Sequence, residues 1–382
     1  MKLPHLAAAA VLVVSFACPA LAAWKPALEM DGQVFPSLLI ATANIKTPED
    51  AEDEKDETFI GDPKGIVGVE VESPADNATV TVSVRVDRIA EPATITAKLP
   101  KKGETYRVYP TFRYDYKVLR ETRQAAPLSV TIEVRLAGRP AERKDLTVSL
   151  RSINECPFAE LVEGDGDAEP TVDVYAWMFA AYVNEDHPLV DKILKEALAT
   201  GAVKHFTGYQ AGDVEEVHRQ VFAVWHALQA RGIRYSDVST TANASETVHS
   251  QHVRFLDEAL ENGQANCVDG SVVFASVLRK IGLEPALVIV PGHCYLAYYG
   301  DAGRKQVFGL ETTLIGETDL AKLKVTSGSA AGALAAKRNE ASFKSFVAAV
   351  GVGTENLTKA AKKFDDEDEA DYQIIPIADA RK

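Results

Sequence analysis

The sequence predicts a mixed α+β protein in which an antiparallel β-sandwich precedes an α+β domain. Between residues 59 and 153, apolar and polar side chains alternate with a period of two, as in half-buried antiparallel strands. From residue 173 onward, the apolar side chains follow the spacing of amphipathic helices. The predicted divisions are a signal peptide (1–22), an N-terminal strand with an acidic linker (24–58), the sandwich (59–153), a second acidic linker (154–172) and the α+β domain (173–382).

The first 22 residues have the composition of a cleaved secretory signal peptide. Lys2 supplies a positive start, an apolar run spans residues 6–17, and residues 19–22 end with small side chains at the positions that signal peptidase recognises. The apolar run is too short to cross a bilayer. Cys18 raises the alternative of a lipoprotein, but the residues before it make a poor lipobox. We therefore expect a periplasmic or secreted protein.

The charge of the chain limits its partners. There are 41 Lys and Arg residues against 55 Asp and Glu residues, which gives a formal net charge of −14. Nucleic-acid phosphates and anionic lipid surfaces repel a protein of this kind. We therefore expect no nucleic-acid partner, and no stretch after the signal peptide is apolar enough to span a membrane. The acidic run at residues 49–57 is too polar to pack and predicts a solvated linker.

The predicted sandwich is built from short alternating runs with Pro, Gly, Asp and Asn between them. One strand at residues 33–40 precedes it. The sandwich strands are predicted at residues 66–71, 79–86, 94–99, 129–136 and 146–150. The region also contains the aromatic group Tyr106, Tyr109, Phe112, Tyr114 and Tyr116. Core and edge packing is the expected role of these rings, with a binding face as the alternative.

The α+β domain begins with helices and continues with strands. Helices are predicted at residues 175–182, 188–199, 214–231, 255–262, 267–280, 343–350 and 357–364. Strands are predicted at residues 286–290, 293–299, 306–310 and 372–377. The run at 286–290 is continuously apolar, which is typical of a strand that is buried on both faces.

A cysteine, a histidine and a carboxylate occur in this order at the ends of predicted elements. Cys267 opens a helix, His293 begins one strand and Glu311 ends the next. A thiol at a helix N-terminus lies at the positive end of the macrodipole, which favours the thiolate. If the two strands pair as a hairpin, Glu311 can hold one imidazole nitrogen while the other faces Cys267. Nucleophile, base and orienting carboxylate are the parts of a cysteine-based acyl-transfer site.

Several short motifs around this site carry a family resemblance. They are Arg231-Gly232-Ile233-Arg234-Tyr235, the run from Glu258 to Cys267, the run from Leu278 to Pro285, Gly292-His293, and Leu310-Glu311-Thr312-Thr313. In these motifs the chain, from about residue 220 to 315, resembles the transglutaminase-like superfamily, whose members are related to papain-like cysteine hydrolases. The resemblance implies an α+β domain of that fold and a triad of Cys267, His293 and Glu311. Glu311 stands where the family usually has Asp.

Two further positions depart from the family pattern. Cys294 and Tyr295 follow the histidine, where a small residue and a tryptophan are common. An acyl-transfer site also needs donors for the oxyanion of its tetrahedral intermediate. The backbone N–H of Cys267 is one candidate. The side-chain candidates are Gln264, Gln251 and Trp225, although Gln264 also fits a polar loop residue and Trp225 lies on an apolar helix stripe.

The leading functional hypothesis is an exported cysteine hydrolase or acyltransferase. It would act on a peptide or protein amide through an acyl-enzyme at Cys267, with His293 as general base and acid. The alternative is a non-catalytic module of the same fold that binds a protein or cell-envelope partner. No cofactor and no metal is expected. His249 and His252 lack further ligands, and residues 163–167 lack the glutamate that closes an EF-hand loop.

Three cysteines remain once the signal peptide is removed: Cys156, Cys267 and Cys294. An odd number leaves at least one thiol unpaired. If Cys267 is the nucleophile, the other two form either one disulfide or two lone thiols. Both alternatives are compatible with the sequence.

Overall fold

A computed structural model describes residues 24–41, 57–162, 170–237, 242–243, 245–317, 341–366 and 368–381. This part of the chain is a mixed α+β structure with several sheets, as predicted. The predicted signal peptide, most of the first acidic linker and the segment 163–167 lie outside the described residues. Within the described ranges, no helix has both the length and the apolar character needed to cross a membrane.

The N-terminal part consists mainly of strands. They are β1 (Trp24–Leu28), β2 (Gln33–Val34), β3 (Phe59–Gly61), β4 (Val67–Glu72), β5 (Ala78–Val86), β6 (Ala93–Leu99), β7 (Thr105–Tyr109), β8 (Ala126–Leu136) and β9 (Glu142–Leu150). Two short helices, α1 (Pro36–Ala41) and α2 (Tyr116–Glu121), and the 3-10 turn Met30–Gly32 interrupt them.

These strands form two sheets that share one apolar cluster. The strand orders are β1-β4-β7-β3 and β2-β9-β8-β5-β6. Val69 and Val71 of the first sheet and Val80, Val82 and Val84 of the second all belong to the cluster and are at most 1% exposed. The period-two pattern of the sequence therefore produces one buried and one more exposed face in these strands.

Two sequence expectations for this part need correction or refinement. The predicted strand at 33–40 ends at Val34, and Pro36 begins α1 instead. Proline is favoured in the first turn of a helix because its missing N–H has no intrahelical partner there. Among the aromatic residues, Tyr106 and Tyr109 are core residues, whereas Tyr116 is 50% exposed.

The C-terminal part contains the remaining elements. Its strands are β10 (Glu155–Val162), β11 (Thr171–Val174), β12 (Arg234–Tyr235), β13 (Ala242–Asn243), β14 (Val248–His252), β15 (Gln264–Ala265), β16 (Pro285–Val290), β17 (His293–Tyr299), β18 (Val307–Leu310) and β19 (Gln373–Pro376). Its helices are α3 (Pro188–Ala199), α4 (Val214–Ala230), α5 (Leu256–Asn262), α6 (Cys267–Lys280), α7 (Ala341–Ala360) and α8 (Ile377–Ala380), with 3-10 turns at Ala176–Tyr182 and Thr312–Leu314.

Three sheets organise this part: β11-β10-β14-β13, the pair β12-β15, and β18-β17-β16-β19. Strand β10 lies where the sequence predicts a linker. It buries Cys156 and Ala159, while its two acidic residues, Glu155 and Glu160, are only partly buried. The predicted helices at 343–350 and 357–364 are one continuous helix, α7. Gly353 does not end that helix because it lies against β18, where only a glycine fits.

Helix α6 is the element that positions the candidate site. Its residues from Val268 to Leu278 are all buried. It packs against β16 and β17 on one side and against α3, α4 and α5 on others. Because the helix is enclosed on most of its surface, its first residue, Cys267, has a fixed position relative to the ends of β17 and β18.

Candidate active site

Cys267 is the first residue of α6, and the preceding Asn266 caps the helix. The Asn266 Oδ1 atom accepts a hydrogen bond from the Asp269 N–H at 2.8 Å, and Asp269 Oδ2 accepts one from the Asn266 N–H at 3.0 Å. This reciprocal capping box satisfies two of the N–H groups that a helix start leaves without partners. Cys267 itself is half-buried, so its thiol sits at a rigid helix end with access from outside.

Asp269 is a structural residue of this helix start, as expected of an acid in the first turn. Its carboxylate accepts hydrogen bonds from the Arg254 N–H and the Arg254 Nη1, both at 2.7 Å, and it is completely buried. Burial raises the pKa of Asp269, and the hydrogen bonds from Asn266 and Arg254 partly offset that effect. Removing the carboxylate would break its ion pair with the Arg254 guanidinium, whose side chain is only 14% exposed.

We expect Asp269→Ala to lower the free energy of unfolding by about 3 kcal/mol, because it breaks a buried ion pair and removes one of the two hydrogen bonds of the capping box. Urea unfolding at pH 7 measures this change. Asp191→Ala is the matched control, since Asp191 is also a first-turn acid but is exposed on α3. Its cost should stay near or below about 0.5 kcal/mol. Equal costs for the two variants would contradict the structural role of Asp269.

His293 and Glu311 are brought together by the hairpins of the last sheet. Gly292, with φ of +70°, turns the chain so that Val290 pairs with His293. Strand β17 then pairs with β18 in the register Leu296 to Leu310, so that Glu311 follows one residue beyond the last pair. His293 Nε2 and Glu311 Oε2 are 2.9 Å apart. The predicted neighbour relation of these two side chains is therefore present in the structure.

Glu311 is held by more than the histidine. It is 5% exposed, and its Oε1 accepts hydrogen bonds from the Thr313 N–H at 3.2 Å and the Thr313 Oγ1 at 2.7 Å. Burial alone would raise the pKa of Glu311, but the hydrogen bonds from His293 and Thr313 outweigh it, and the pKa is lowered. The side chain is therefore an ionised, fixed acceptor for the imidazole at neutral pH.

The imidazole of His293 links the carboxylate to the thiol. Its hydrogen bond with the Cys267 side chain, followed by that with Glu311, raises the pKa of His293 to about 10, although burial acts against this. Since Nε2 contacts Glu311, Nδ1 is the ring nitrogen left for Cys267. The Tyr295 ring stacks on the imidazole with 5.9 Å between ring centroids. The ring is therefore fixed by a contact on its face and a hydrogen bond at its edge.

The predicted oxyanion donors do not all lie at the site. Trp225 is fully buried, and its Nε1 donates to Ser345 Oγ at 3.0 Å and to Gln229 Oε1 at 3.1 Å. This N–H therefore already has two acceptors within the protein. Gln264 is exposed on β15, three residues before Cys267. Gln251 is buried, and its Nε2 donates to the His252 carbonyl at 3.0 Å.

The same His252 carbonyl accepts a hydrogen bond from Asn266 Nδ2 at 2.9 Å. The amide of Gln251 therefore lies beside the residue that precedes Cys267, and its donor is aimed at the backbone. The backbone N–H of Cys267 belongs to the first helical turn, where amides have no intrahelical acceptor. The Cys267 N–H therefore remains a candidate donor to the oxyanion.

The described cysteines are all free thiols. Cys156 and Cys294 are buried, and burial raises the pKa of both, while Cys267 alone is half-buried. The alternative of a Cys156–Cys294 disulfide is therefore wrong, and the alternative of two lone thiols is confirmed. Within the ranges that the structure describes, no group of three or more His, Cys, Asp and Glu side chains is arranged to hold a metal ion.

One residue near the thiol had no role assigned from the sequence. Tyr235 ends β12, which runs parallel to β15, and it pairs with Ala265, two residues before Cys267. Burial, followed by the negative charges of Cys267, Asp237 and Glu311, raises the pKa of Tyr235. Its side chain nevertheless stays 42% exposed. The sequence signal was its place at the end of the motif 231–235, but only the strand pairing brings it to the site.

A scan against protein-family models, a search of curated proteins and a search of solved structures each found no match for this chain. The chemistry open to the site follows from its own geometry. A thiol at a helix start, an imidazole hydrogen-bonded to it and a buried carboxylate behind the imidazole can form a thiolate–imidazolium pair.

Proposed function

We propose that this protein is an exported cysteine hydrolase or acyltransferase of the transglutaminase-like type. In this proposal Cys267 is the nucleophile, His293 the general acid and base, and Glu311 the residue that orients the imidazole. The observation that carries it is the continuous contact from the Cys267 thiol through His293 to the buried Glu311 carboxylate, with 2.9 Å between His293 Nε2 and Glu311 Oε2. Three such groups in this order match the requirements of acyl transfer through a covalent intermediate.

The proposed reaction starts from a Cys267 thiolate beside a protonated His293. The thiolate attacks the carbonyl carbon of an amide, a C–S bond forms, and the carbonyl electrons move to the oxygen. Collapse of this intermediate breaks the C–N bond, and His293 gives its proton to the leaving amine. Water or a second amine then attacks the thioester and passes a proton to His293, the C–S bond breaks, and the Cys267 thiolate beside a protonated His293 is restored. Glu311 stabilises the imidazolium whenever it forms.

The substrate proposed for this site is an amide of a peptide or protein. Hydrolysis and acyl transfer differ only in whether water or an amine attacks the thioester, and the same three residues serve both.

We interpret the two N-terminal sheets, which share one apolar cluster, as a β-sandwich that provides a partner surface or a shield for the site. The proposed location is the periplasm or the extracellular space.

The pH dependence of Cys267 alkylation by iodoacetamide tests the active pair. Because the pKa of His293 is raised to about 10, the imidazole stays protonated beside the sulfur across neutral pH. We expect rapid alkylation below pH 7 and little change in its rate between pH 6 and 8. An ordinary thiol slows about tenfold for each pH unit below its pKa of about 8.5.

The His293→Ala and Glu311→Gln variants complete this test. The first removes the positive charge beside the sulfur, and the second removes the negative charge that holds it protonated. We expect His293→Ala to give the profile of an ordinary thiol and Glu311→Gln to shift the profile towards it. If the unaltered protein already reacts like an ordinary thiol, the proposed catalysis is wrong, and the non-catalytic binding module becomes the better hypothesis.

A further inference from the structure

The phenol of Tyr235 occupies a position that no part of the proposed triad uses. The short parallel pairing of β12 with β15 fixes it: Tyr235 is opposite Ala265, and the Ser236 N–H donates to the Ala265 carbonyl at 3.0 Å. The chain that leaves Ala265 reaches Cys267 after one more residue. The 3-10 turn Thr312–Leu314, which follows Glu311, packs against β12 from the other side.

This packing is tight, so the position of β12 is well determined. A Cβ atom at Gly316 would lie 2.7 Å from the Ile233 carbonyl oxygen and 2.7 Å from Arg234 Cγ. Gly316 also has φ of +75°, which favours glycine. Strand β12 is therefore clamped between the loop that leads into α6 and the turn after Glu311. Its last side chain lies at the rim of the site, at 42% exposure.

The charge environment of Tyr235 agrees with this placement. Burial is the largest cause of the raised pKa of Tyr235, and the neighbouring Cys267, Asp237 and Glu311 side chains add to it. A phenol with an ordinary pKa of about 10 is already protonated at neutral pH, and these effects raise the pKa of Tyr235 further, so its O–H is a hydrogen-bond donor. A neutral donor beside a nucleophilic sulfur is suited to stabilise negative charge that develops on a neighbouring oxygen.

The other side-chain candidates are less suited to this role. The N–H of Trp225 donates to Ser345 and Gln229 in the core. The amide of Gln251 donates to the His252 carbonyl. Gln264 is exposed on β15. Tyr235 is the side chain for which both a position by the thiol and a protonated donor are supported.

We propose that the Tyr235 hydroxyl is the side-chain donor of the oxyanion hole and acts together with the backbone N–H of Cys267. The inference rests on the proposed acyl-transfer function of the site. When the thiolate adds to a carbonyl carbon, the Tyr235 O–H donates a hydrogen bond to the oxygen that becomes negative. No proton is transferred from Tyr235, and the hydrogen bond is released when the intermediate collapses to the thioester.

Two reagents that modify Cys267 distinguish stabilisation of the oxyanion from an effect on the thiolate itself. Acylation by p-nitrophenyl acetate passes through a tetrahedral oxyanion, whereas alkylation by iodoacetamide displaces iodide and forms no oxyanion. We expect Tyr235→Phe to slow acylation about 10- to 100-fold, somewhat below the effect known for a principal oxyanion donor. The rate of alkylation should be unchanged, which also shows that the variant is folded and its thiolate intact.

Matched variants control the measurement. Tyr116→Phe removes the hydroxyl of another exposed tyrosine and should change neither rate. Gln264→Ala tests the competing donor and should also leave acylation unchanged. Equal acylation of Tyr235→Phe and the unaltered protein would overturn the role of Tyr235, as would a loss caused by Gln264→Ala instead. If the unaltered protein is not acylated at Cys267 at all, the proposed function itself fails.

Discussion

Replacing Cys267 with alanine is expected to abolish acylation of this protein by p-nitrophenyl acetate. The described chain offers one accessible thiol, because Cys156 and Cys294 are buried. The thiolate is the form that attacks a carbonyl, and alanine has no atom that can replace it. The rate should fall by at least about 10³-fold, as is usual when the nucleophile of a triad is lost.

The measurement combines the burst of p-nitrophenol with the mass of the intact protein. The unaltered protein should gain one acetyl group per chain, and Cys267→Ala should gain none. Cys156→Ala is the control, since Cys156 is buried in strand β10 and should have no influence on acylation. Acylation that persists in Cys267→Ala would mean that another residue is the nucleophile.

The second large effect is expected at the contact between α7 and β18. A Cβ atom at Gly353 would lie 2.5 Å from the Gly309 carbonyl carbon, 2.6 Å from the Leu310 nitrogen and 3.0 Å from the Glu311 nitrogen. All three are backbone atoms, which cannot move aside as a flexible side chain can. Gly353→Ala must therefore push the helix and the strand apart.

That displacement should reach the triad. Helix α7 holds the strand through two hydrogen bonds, from the Glu311 N–H to the Ala349 carbonyl at 3.0 Å and from the Gly309 N–H to Thr354 Oγ1 at 3.1 Å. We expect Gly353→Ala to lower the free energy of unfolding by about 3 kcal/mol through overpacking. Because Glu311 moves with the strand, Cys267 alkylation should shift towards the profile of an ordinary thiol.

Urea unfolding and the alkylation profile measure the two effects on the same protein. Gly351→Ala is the matched control, because Gly351 lies in the same helix at a half-exposed position. Alanine favours helix more than glycine does, so this variant should be stabilised by about 0.5–1 kcal/mol and keep the alkylation profile unchanged. A stable Gly353→Ala protein with an unaltered profile would show that β18 does not depend on this contact.

Much of the candidate site could be predicted from the sequence because its parts lie at element ends. The sequence predicts a helix start at Cys267 with Asp269 as a first-turn acid, and in the structure Asp269 forms a capping box there with Asn266. The Pro291-Gly292 turn between two apolar runs indicates that a new strand begins at His293. These signals are short-range, since each depends on residues within a few positions of one another.

The errors came from interactions between distant segments. Residues 155–162 were expected as linker, yet they pair with β14 almost a hundred residues later and so become a central strand. Trp225 was a candidate donor until its N–H was seen to bond with Ser345 on α7. The proposed side-chain donor, Tyr235, could be recognised only from the pairing of β12 with β15.

The sequence by itself determined the mixed α+β class, the alternating strands of the N-terminal part, and the cysteine, histidine and carboxylate that meet at the ends of α6, β17 and β18. The tertiary structure alone decided that Cys156 and Cys294 remain separate thiols, that α7 is one helix against β18, and that Tyr235 pairs with Ala265, two residues before Cys267. The physical reason is the range of the interactions. Capping, turns and periodicity act within a few residues, whereas burial, strand pairing and close packing depend on residues that only the folded chain brings together.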